Sequence, residues 1–218
     1  MKSICVANWD TNGDGELNMD EAAAVTSLGS VFTENGITSF DEFRFFTGLT
    51  NLPGWTSFCW CSALNSIVIP ANLTSLSGLS FANCTALQHI SVDLANTVYD
   101  SRSDCNAIIE TATNKLVVGC ENSNIPDDIT IIGNSAFWGR WNMQKMTIPE
   151  TVTTIEEDAF ACCTSLKAIT LPVSVSEIGN RAFIQCDNLT SVHCYMKTPP
   201  VIDVDAFTNR TNATLYVP

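Results

Sequence analysis

Ile148-Pro149-Glu150-Thr151-Val152-Thr153-Thr154-Ile155-Glu156-Glu157-Asp158-Ala159-Phe160-Ala161-Cys162-Cys163-Thr164-Ser165-Leu166 contains a pattern that returns 23 positions later. Leu171-Pro172, Val175, Ile178, Ala182-Phe183, Cys186 and Leu189 stand where Ile148-Pro149, Val152, Ile155, Ala159-Phe160, Cys163 and Leu166 stood. The Phe position recurs as Phe137, Phe160 and Phe183, and the Leu position as Met143, Leu166 and Leu189. A period of this length marks a solenoid, in which one short unit buries its apolar side only against copies of itself. Inside a unit, Leu166-x-x-Ile169-x-Leu171-Pro172 alternates as a half-buried strand does, and Pro172 ends the run because it has no N–H for a ladder. Each unit is thus expected to supply one strand of a parallel sheet. Val175, Ile178, Ala182-Phe183 and Cys186 then carry the chain round the convex side.

The register extends backwards through Phe58, Cys61, Leu64 and Ile67-Val68-Ile69-Pro70, then Phe81, Cys84, Leu87 and Ile90-Ser91-Val92. From Val92 to Ile125-Pro126 the step is 33, so one coil carries an insertion, residues 95–124. Phe207 follows Phe183 by 24, which makes residues 195–218 an irregular last coil. Six strand positions result, ending at Ile69, Val92, Ile125, Ile148, Leu171 and Cys194. The insertion reads as two strands, 106–110 and 115–119, joined by Thr111-Ala112-Thr113-Asn114. They form either a hairpin that shapes a ligand edge or a longer convex excursion. Pairing Glu110 with Lys115 would carry Cys105 opposite Cys120, within geometric reach of a disulfide. Whether the two are bridged stays open.

The phrase Ile148-Pro149-x-x-Val152-x-x-Ile155-x-x-x-Ala159-Phe160-x-x-Cys163-x-x-Leu166 resembles the repeat of BspA-like leucine-rich repeat proteins from the surfaces of Bacteroidetes. Tyr99-Asp100-Ser101-Arg102 through Cys105-Asn106-Ala107-Ile108-Ile109-Glu110-Thr111 resembles a variant coil of that family, as does the closing Ala213-Thr214-Leu215-Tyr216-Val217-Pro218. The resemblance runs from about Ile37 to the end. It implies an α/β leucine-rich repeat solenoid with its parallel sheet on the concave face, and adhesion to host matrix proteins or to other bacteria.

With 218 residues, 45% of them hydrophobic, the chain can bury a continuous core. Its formal charge of −13 excludes the basic face that nucleic acids and anionic membranes require. No apolar run approaches the length of a membrane span. Met1-Lys2-Ser3-Ile4-Cys5 lacks the apolar stretch of a signal peptide, so an exported parent would make this chain its mature portion or an excised domain. Of ten cysteines, Cys61, Cys84, Cys163 and Cys186 share one repeat position, which stacks them as a ladder of small buried side chains.

Ahead of the repeats stands Asp10-Thr11-Asn12-Gly13-Asp14-Gly15-Glu16-Leu17-Asn18-Met19-Asp20-Glu21, a complete D-x-[DN]-x-[DN]-G-x5-E calcium loop. Asp10, Asn12 and Asp14 would offer side-chain oxygens, Glu16 its carbonyl, Asn18 a direct or water-mediated contact, and Glu21 a bidentate carboxylate. Calcium takes six to eight hard oxygens, which this set provides. The lone loop, in a segment spanning residues 1–36, resembles half a dockerin or a single extracellular EF-hand. Leu28 to Gly36 reads as a linker. In residues 37–52, Ile37, Phe40, Phe43, Phe46, Leu49 and Leu52 recur every third position, as a helical or 3₁₀ cap over the open end of the solenoid would.

In the solenoid, residues 37–218, the positions between the buried strand residues point to the concave face. They form the columns Asn65, Gln88, Gln144, Lys167, Thr190; Ser66, His89, Lys145, Ala168, Ser191; and Val68, Ser91, Thr147, Thr170, His193. Such a polar, mixed surface suits a protein partner met through many weak contacts, or is a solvated face with no ligand. His89 and His193 lie too many strands apart to share a metal. Trp55, Trp60, Trp138 and Trp141 fall near the returns between strands, either packed between coils or exposed for sugar stacking. No nucleophile, base and orienting acid converge, and no glycine loop cradles phosphate. The expectation is a non-enzymatic, calcium-stabilised protein-binding module at a cell surface or outside the cell. A carbohydrate-binding component and a structural spacer are the alternatives.

Overall fold

In the strand Ala168–Leu171 the residues run exposed, buried, exposed, buried. Ile169 and Leu171 enter the coil while Ala168 and Thr170 face out, as period-two alternation requires. The computed structural model of the chain describes all residues except Lys197, 208–213 and 217–218, and of Leu215 the backbone alone. Helices α1 (Lys2–Trp9) and α2 (Met19–Ala24) precede a 3₁₀ turn at Asp41–Phe45. Strands follow as β1 (Asn51–Leu52), β2 (Ser66–Ile69), β3 (Ser75–Leu76), β4 (His89–Val92), β5 (Tyr99–Asp100), β6 (Ala107–Glu110) and β7 (Lys115–Gly119). The remainder are β8 (Ile131–Ile132), β9 (Lys145–Met146), β10 (Thr154–Ile155), β11 (Ala168–Leu171), β12 (Glu177–Ile178), β13 (Ser191–Cys194), β14 (Val201–Ile202) and β15 (Thr214–Tyr216). The closing segment 213–218 is therefore described only at β15.

The chain is a parallel-sheet solenoid, as the repeat predicts, but most coils contribute two strands where one was expected. The longer strands make a front sheet, β2-β4 and β9-β11-β13-β15; the shorter ones a back sheet, β1-β3 and β5-β6-β7-β8-β10-β12-β14. Thr154-Ile155 pairs with Ile131-Ile132 on one side and Glu177-Ile178 on the other. These two-residue strands are what the apolar positions Ile155 and Ile178 belong to.

Two ladders run up the inside. Phe137, Phe160, Phe183 and Phe207 stack face to face at 5.0, 5.2 and 4.9 Å, and Phe32, Phe58 and Phe81 at 5.6 and 5.3 Å. The cysteine column lies beside them. The Sγ of Cys84, Cys163 and Cys186 donates to the carbonyl of Phe58, Phe137 and Phe160 respectively, at 3.1–3.3 Å. Cys61 does the same to Phe32, at 2.7 Å. Leu28 to Gly36 is thus no linker: Phe32 is fully buried and forms the first rung of the N-terminal stack.

The insertion forms the two expected strands, and both are built into the back sheet instead of projecting. β6 runs antiparallel to β5 and β7, and β7 parallel to β8. Glu110 faces Lys115 as predicted, but a bulge between Ile108 and Ile109 slips the register by one. Asn106 therefore lies beside Cys120, whose Sγ donates to the Asn106 carbonyl at 3.5 Å. Cys105 and Cys120 end on opposite sides of the hairpin and both are free thiols, because a one-residue slip moves a side chain to the other face.

The hairpin divides the core. Ile108, Val118 and Cys120 pack with the N-terminal residues, whereas Cys105, Ala107, Ile109 and Leu116 pack with the C-terminal ones. Gly119 occupies the phenylalanine position of the inserted coil: its N–H donates to Ala136, as that of Phe137 does to Ala159 and Phe160 to Ala182. A Cβ on Gly119 would lie 2.1 Å from the Phe137 ring. Arg140 occupies the cysteine position, 23 before Cys163. Its buried guanidinium donates to the carbonyls of Gly119 at 2.8 Å, Phe81 at 3.0 Å and Cys84 at 3.5 Å. With two strands wedged between coils, a thiol no longer reaches the previous coil's carbonyl, and an arginine does.

Among the described residues no strand from β1–β4 pairs with any from β5–β15. The segment 122–125, expected as the front strand ending at Ile125, forms none. Its groups bond backwards: Asn124 N–H donates to the Cys105 carbonyl at 3.0 Å and Ser123 Oγ to that of Asn106 at 2.6 Å. Beside one backbone bond, Asn83 N–H to the Trp138 carbonyl at 3.5 Å, the two halves meet through side chains. Arg140, Tyr99 (its hydroxyl accepting from Leu76 N–H at 3.1 Å) and Asn96 (donating to Pro70 and Leu73 carbonyls at 2.8 and 3.0 Å) hold the joint.

Candidate functional site

The N-terminal loop is folded by its own acids. Asp10 accepts the Gly13 and Gly15 N–H groups at 2.7 and 2.9 Å, Asn12 Oδ1 that of Asp14 at 2.8 Å, and Asp14 that of Glu16 at 2.9 Å. Gly13 and Gly15 take φ of 72° and 86°, open to glycine without steric cost. Asn18 caps α2, its Oδ1 accepting from Asp20 and Glu21, and Glu21 Oε2 accepts from Asn18 N–H at 3.1 Å. Glu21 Oε1 reaches back to Thr11 N–H and Asn12 N–H at 2.8 and 3.1 Å. These bonds, that from Asn18 foremost, hold the Glu21 carboxyl below its ordinary pKa. The Glu16 side chain turns outward to Lys2, at 2.5 Å. Among the described residues no three His, Cys, Asp or Glu side chains are gathered as a metal cluster.

The flanking helices rest on the stripe that follows. Trp9 packs on Phe46 and Phe32 at 5.4 and 5.9 Å, and Ala22, Val25 and Leu28 share a core with Phe40, Phe43 and Phe46. Of the cap, Asp41–Phe45 is a 3₁₀ turn and Asn51–Leu52 is strand β1, which pairs with β3.

On the front sheet, register aligns the expected columns: Ser66 with His89, Val68 with Ser91, Lys145 with Ala168 and Ser191, Thr170 with His193. Asn65, Val68, Gln88, His89, Ser91, Gln144, Lys145, Thr147, Lys167, Thr170 and Thr190 are exposed, while Ser66, Ser191 and His193 are half-buried. His193 is not simply solvated: its ring stacks on Tyr216 at 4.4 Å and bonds Ser191 Oγ at 2.9 Å. The break in the sheet separates the columns into two groups, Asn65 to Ser91 and Gln144 to His193.

The four tryptophans lie on the turn ridge between the sheets and pair across the joint. Trp55 meets Trp138 edge to face at 5.2 Å, and Trp60 meets Trp141 at 5.9 Å. Trp55, Trp60 and Trp141 remain 40–49% exposed. They do both things the sequence left open: they pack coil to coil and show ring surface to solvent.

Comparison with known proteins agrees with this geometry. Six copies of the BspA type leucine-rich repeat region match residues 54–115 and 107–217. A leucine-rich repeat protein from Eubacterium ventriosum superposes with a TM-score of 0.67 at 19% identity, over 86% of this chain and 56% of its own. A leucine-rich cell surface protein from Faecalibacterium prausnitzii gives 0.51 at 20% identity, over 86% of this chain and 64% of its own. One from Bacteroides ovatus gives 0.51 at 20%, over 86% of this chain and 44% of its own. At such identities the likeness shows the fold, and the chain spans about half to two thirds of the first two neighbours. No curated protein matches it. With the matched repeats running from residue 54 to residue 217 over stacked phenylalanines and cysteines, the chain belongs to the BspA type leucine-rich repeat family.

Proposed function

We propose that this chain is a non-enzymatic adhesion module, at a bacterial cell surface or secreted, which holds a protein partner on its front sheet and calcium in its N-terminal loop. The observation that carries the reading is the set of exposed polar side chains on and immediately flanking β9, β11 and β13, above all Gln144, Lys145, Thr147, Lys167, Thr170 and Thr190. Parallel ladders fix their spacing, so little backbone order remains to be lost on binding. The family supports the coarser half: its repeats belong to surface proteins that in general serve as interaction modules. A host matrix protein or another bacterium's surface protein is the partner this reading names.

For calcium, the donor set is oxygen only: Asp10, Asn12, Asp14 and Glu21 side chains, the Glu16 carbonyl and Asn18. The Asp10 oxygens and Asn12 Oδ1 each accept one N–H and keep a second lone pair for a hard cation, whereas Glu21 Oε1 accepts three bonds, from Thr11 N–H, Thr11 Oγ1 and Asn12 N–H, and would exchange some of them for the ion. The ion would neutralise three carboxylates and fix α1 to α2. In thermal unfolding, calcium is expected to raise the midpoint of the wild type over a chelator, and the double variant Asp10→Ala/Glu21→Ala is expected to show no rise. Equal midpoints for the wild type with and without calcium would sink this part.

For the partner, beads carrying the chain are tested for retention on host extracellular matrix and on bacterial cells. Thr170→Arg/Thr190→Arg on the front sheet is expected to abolish retention, and Ser176→Arg beside the back sheet to leave it intact. The exposed indoles favour a second reading, a glycan laid along the tryptophan ridge. It predicts instead that deglycosylating the matrix, or Trp60→Ala/Trp141→Ala, removes retention while the front-sheet variants do not.

A further inference from the structure

The break in the front sheet leaves β9 with a partner on one edge only, β11. Facing the other edge, residues 121–125 form no ladder with β9 among the described residues: Ser123 Oγ and Asn124 N–H donate to the Asn106 and Cys105 carbonyls, and Ser123 N–H to that of Cys120. Between them lies an open groove of about 570 Å³, walled by Glu121–Ile125 and Asn142–Thr147, with Lys167 at its rim. An unpaired strand edge is a row of unsatisfied N–H and C=O groups, the template on which an extended peptide adds.

The charges around the groove define the peptide. Lys2, Arg102, Lys115 and Arg181 are ion-paired, Arg140 is buried on carbonyls, and Arg44 lies over the Phe45 ring. That leaves Lys145 and Lys167, both exposed, as the cations without such a partner among the described residues. Lys145 lies on β9 and Lys167 immediately precedes β11, both lining the groove, on a chain whose net charge is −13. On the opposite wall the Glu121 carboxylate accepts Asn142 N–H at 3.2 Å, so a segment with carboxylates on one side only would turn them toward the lysines.

We infer that this groove takes an extended acidic segment of a partner protein, added as a further strand to β9 with its carboxylates at Lys145 and Lys167. The inference rests on the protein-binding reading above and gives it a location and a chemistry. The test uses the full chain and a fluorescein-labelled synthetic peptide, acetyl-(Glu-Val)₄-amide, followed by anisotropy. Saturable binding is expected, with amide shifts at residues 144–147, at least tenfold weaker for Lys145→Glu/Lys167→Glu, and lost when alternate peptide nitrogens are methylated. Absence of binding overturns the inference. So does binding that methylation leaves unchanged, because charge alone would then explain it, and so does binding indifferent to Lys145→Glu/Lys167→Glu. If peptide binding fails while beads are still retained on matrix through the front sheet, only the groove is refuted; loss of both refutes the protein-binding reading itself.

Discussion

At the scale of the residue, the inserted coil works because two positions depart from the repeat together. Gly119 stands where phenylalanine belongs and Arg140 where cysteine belongs. Gly119→Ala would press a methyl group against the Phe137 ring, 2.1 Å from its nearest atom. It is expected to lower stability by about 1–3 kcal/mol, measured by urea unfolding. Arg140→Met keeps the bulk but strips the Phe81 and Gly119 carbonyls of their donor, at a cost on the order of 2–4 kcal/mol. Arg140→Lys, which retains a donor, should recover part of that loss in the same measurement. Both departures are legible once the register is drawn through the insertion, since Arg140 precedes Cys163 by one period. Without a defined register across the 33-residue step, the Gly119 position has no expected occupant.

At the scale of the element, the front strands were legible because four residues of alternation are enough to show a period. The short back strands outside the hairpin were not: two residues each, as in β10 and β12 with Ile155 and Ile178 the buried members, leave no periodicity to read. The hairpin was legible in its strands and its Glu110–Lys115 pair, and misread in its far end, because a bulge leaves no mark in composition. The bulge predicts ten free thiols. Burial pushes Cys61 and Cys84 up to about 12 and Cys105 up to about 11. In the native chain at neutral pH, a thiol reagent is expected to modify only the half-exposed Cys162 and Cys194. After denaturation it should modify all ten, with no increase on adding a reductant. For α2, the capping carboxyl sets an acid limit. Because Glu21 is depressed in the folded chain, its contribution is complete above the ordinary value of 4.5 and is lost as pH falls through the lower folded value. Thermal scans should show the wild type losing more on acidification below 4.5 than Glu21→Gln does.

At the scale of the whole molecule, the repeat reading fixed the path of the chain and missed its division. Periodicity reports what each coil shares with the next, and the joint is the place where coils stop sharing: no ladder crosses it, and Arg140, Tyr99, Asn96 and the paired tryptophans do. The groove beside β9 was invisible in the sequence, because it exists only where an expected strand failed to form. Stability in a solenoid is a sum of units and their interfaces, so a weakened interface separates the sum into parts. Trp60→Ala/Trp141→Ala is expected to split a single urea transition into two, followed by hydrogen exchange at Ile90 and Ile169. A single transition in the variant would mean that the remaining contacts, Arg140, Tyr99, Asn96 and the Trp55–Trp138 pair, suffice to couple the halves.

Ladder hydrogen bonds in a solenoid run roughly along its long axis, so a pull along that axis loads them in series. Such a series yields at its least bonded interval. Here that interval is the joint, where among the described residues the halves share one backbone-to-backbone hydrogen bond, Asn83 N–H to Trp138 at 3.5 Å, side-chain bonds such as Val92 N–H to Ser101 Oγ at 3.0 Å, and a covalent tether from Val92 to Tyr99. Under tension the molecule would part there first and lengthen by the slack of the tether, while the stacked coils on either side kept their form. Tension would then be relieved at the insertion before either stack of coils came apart.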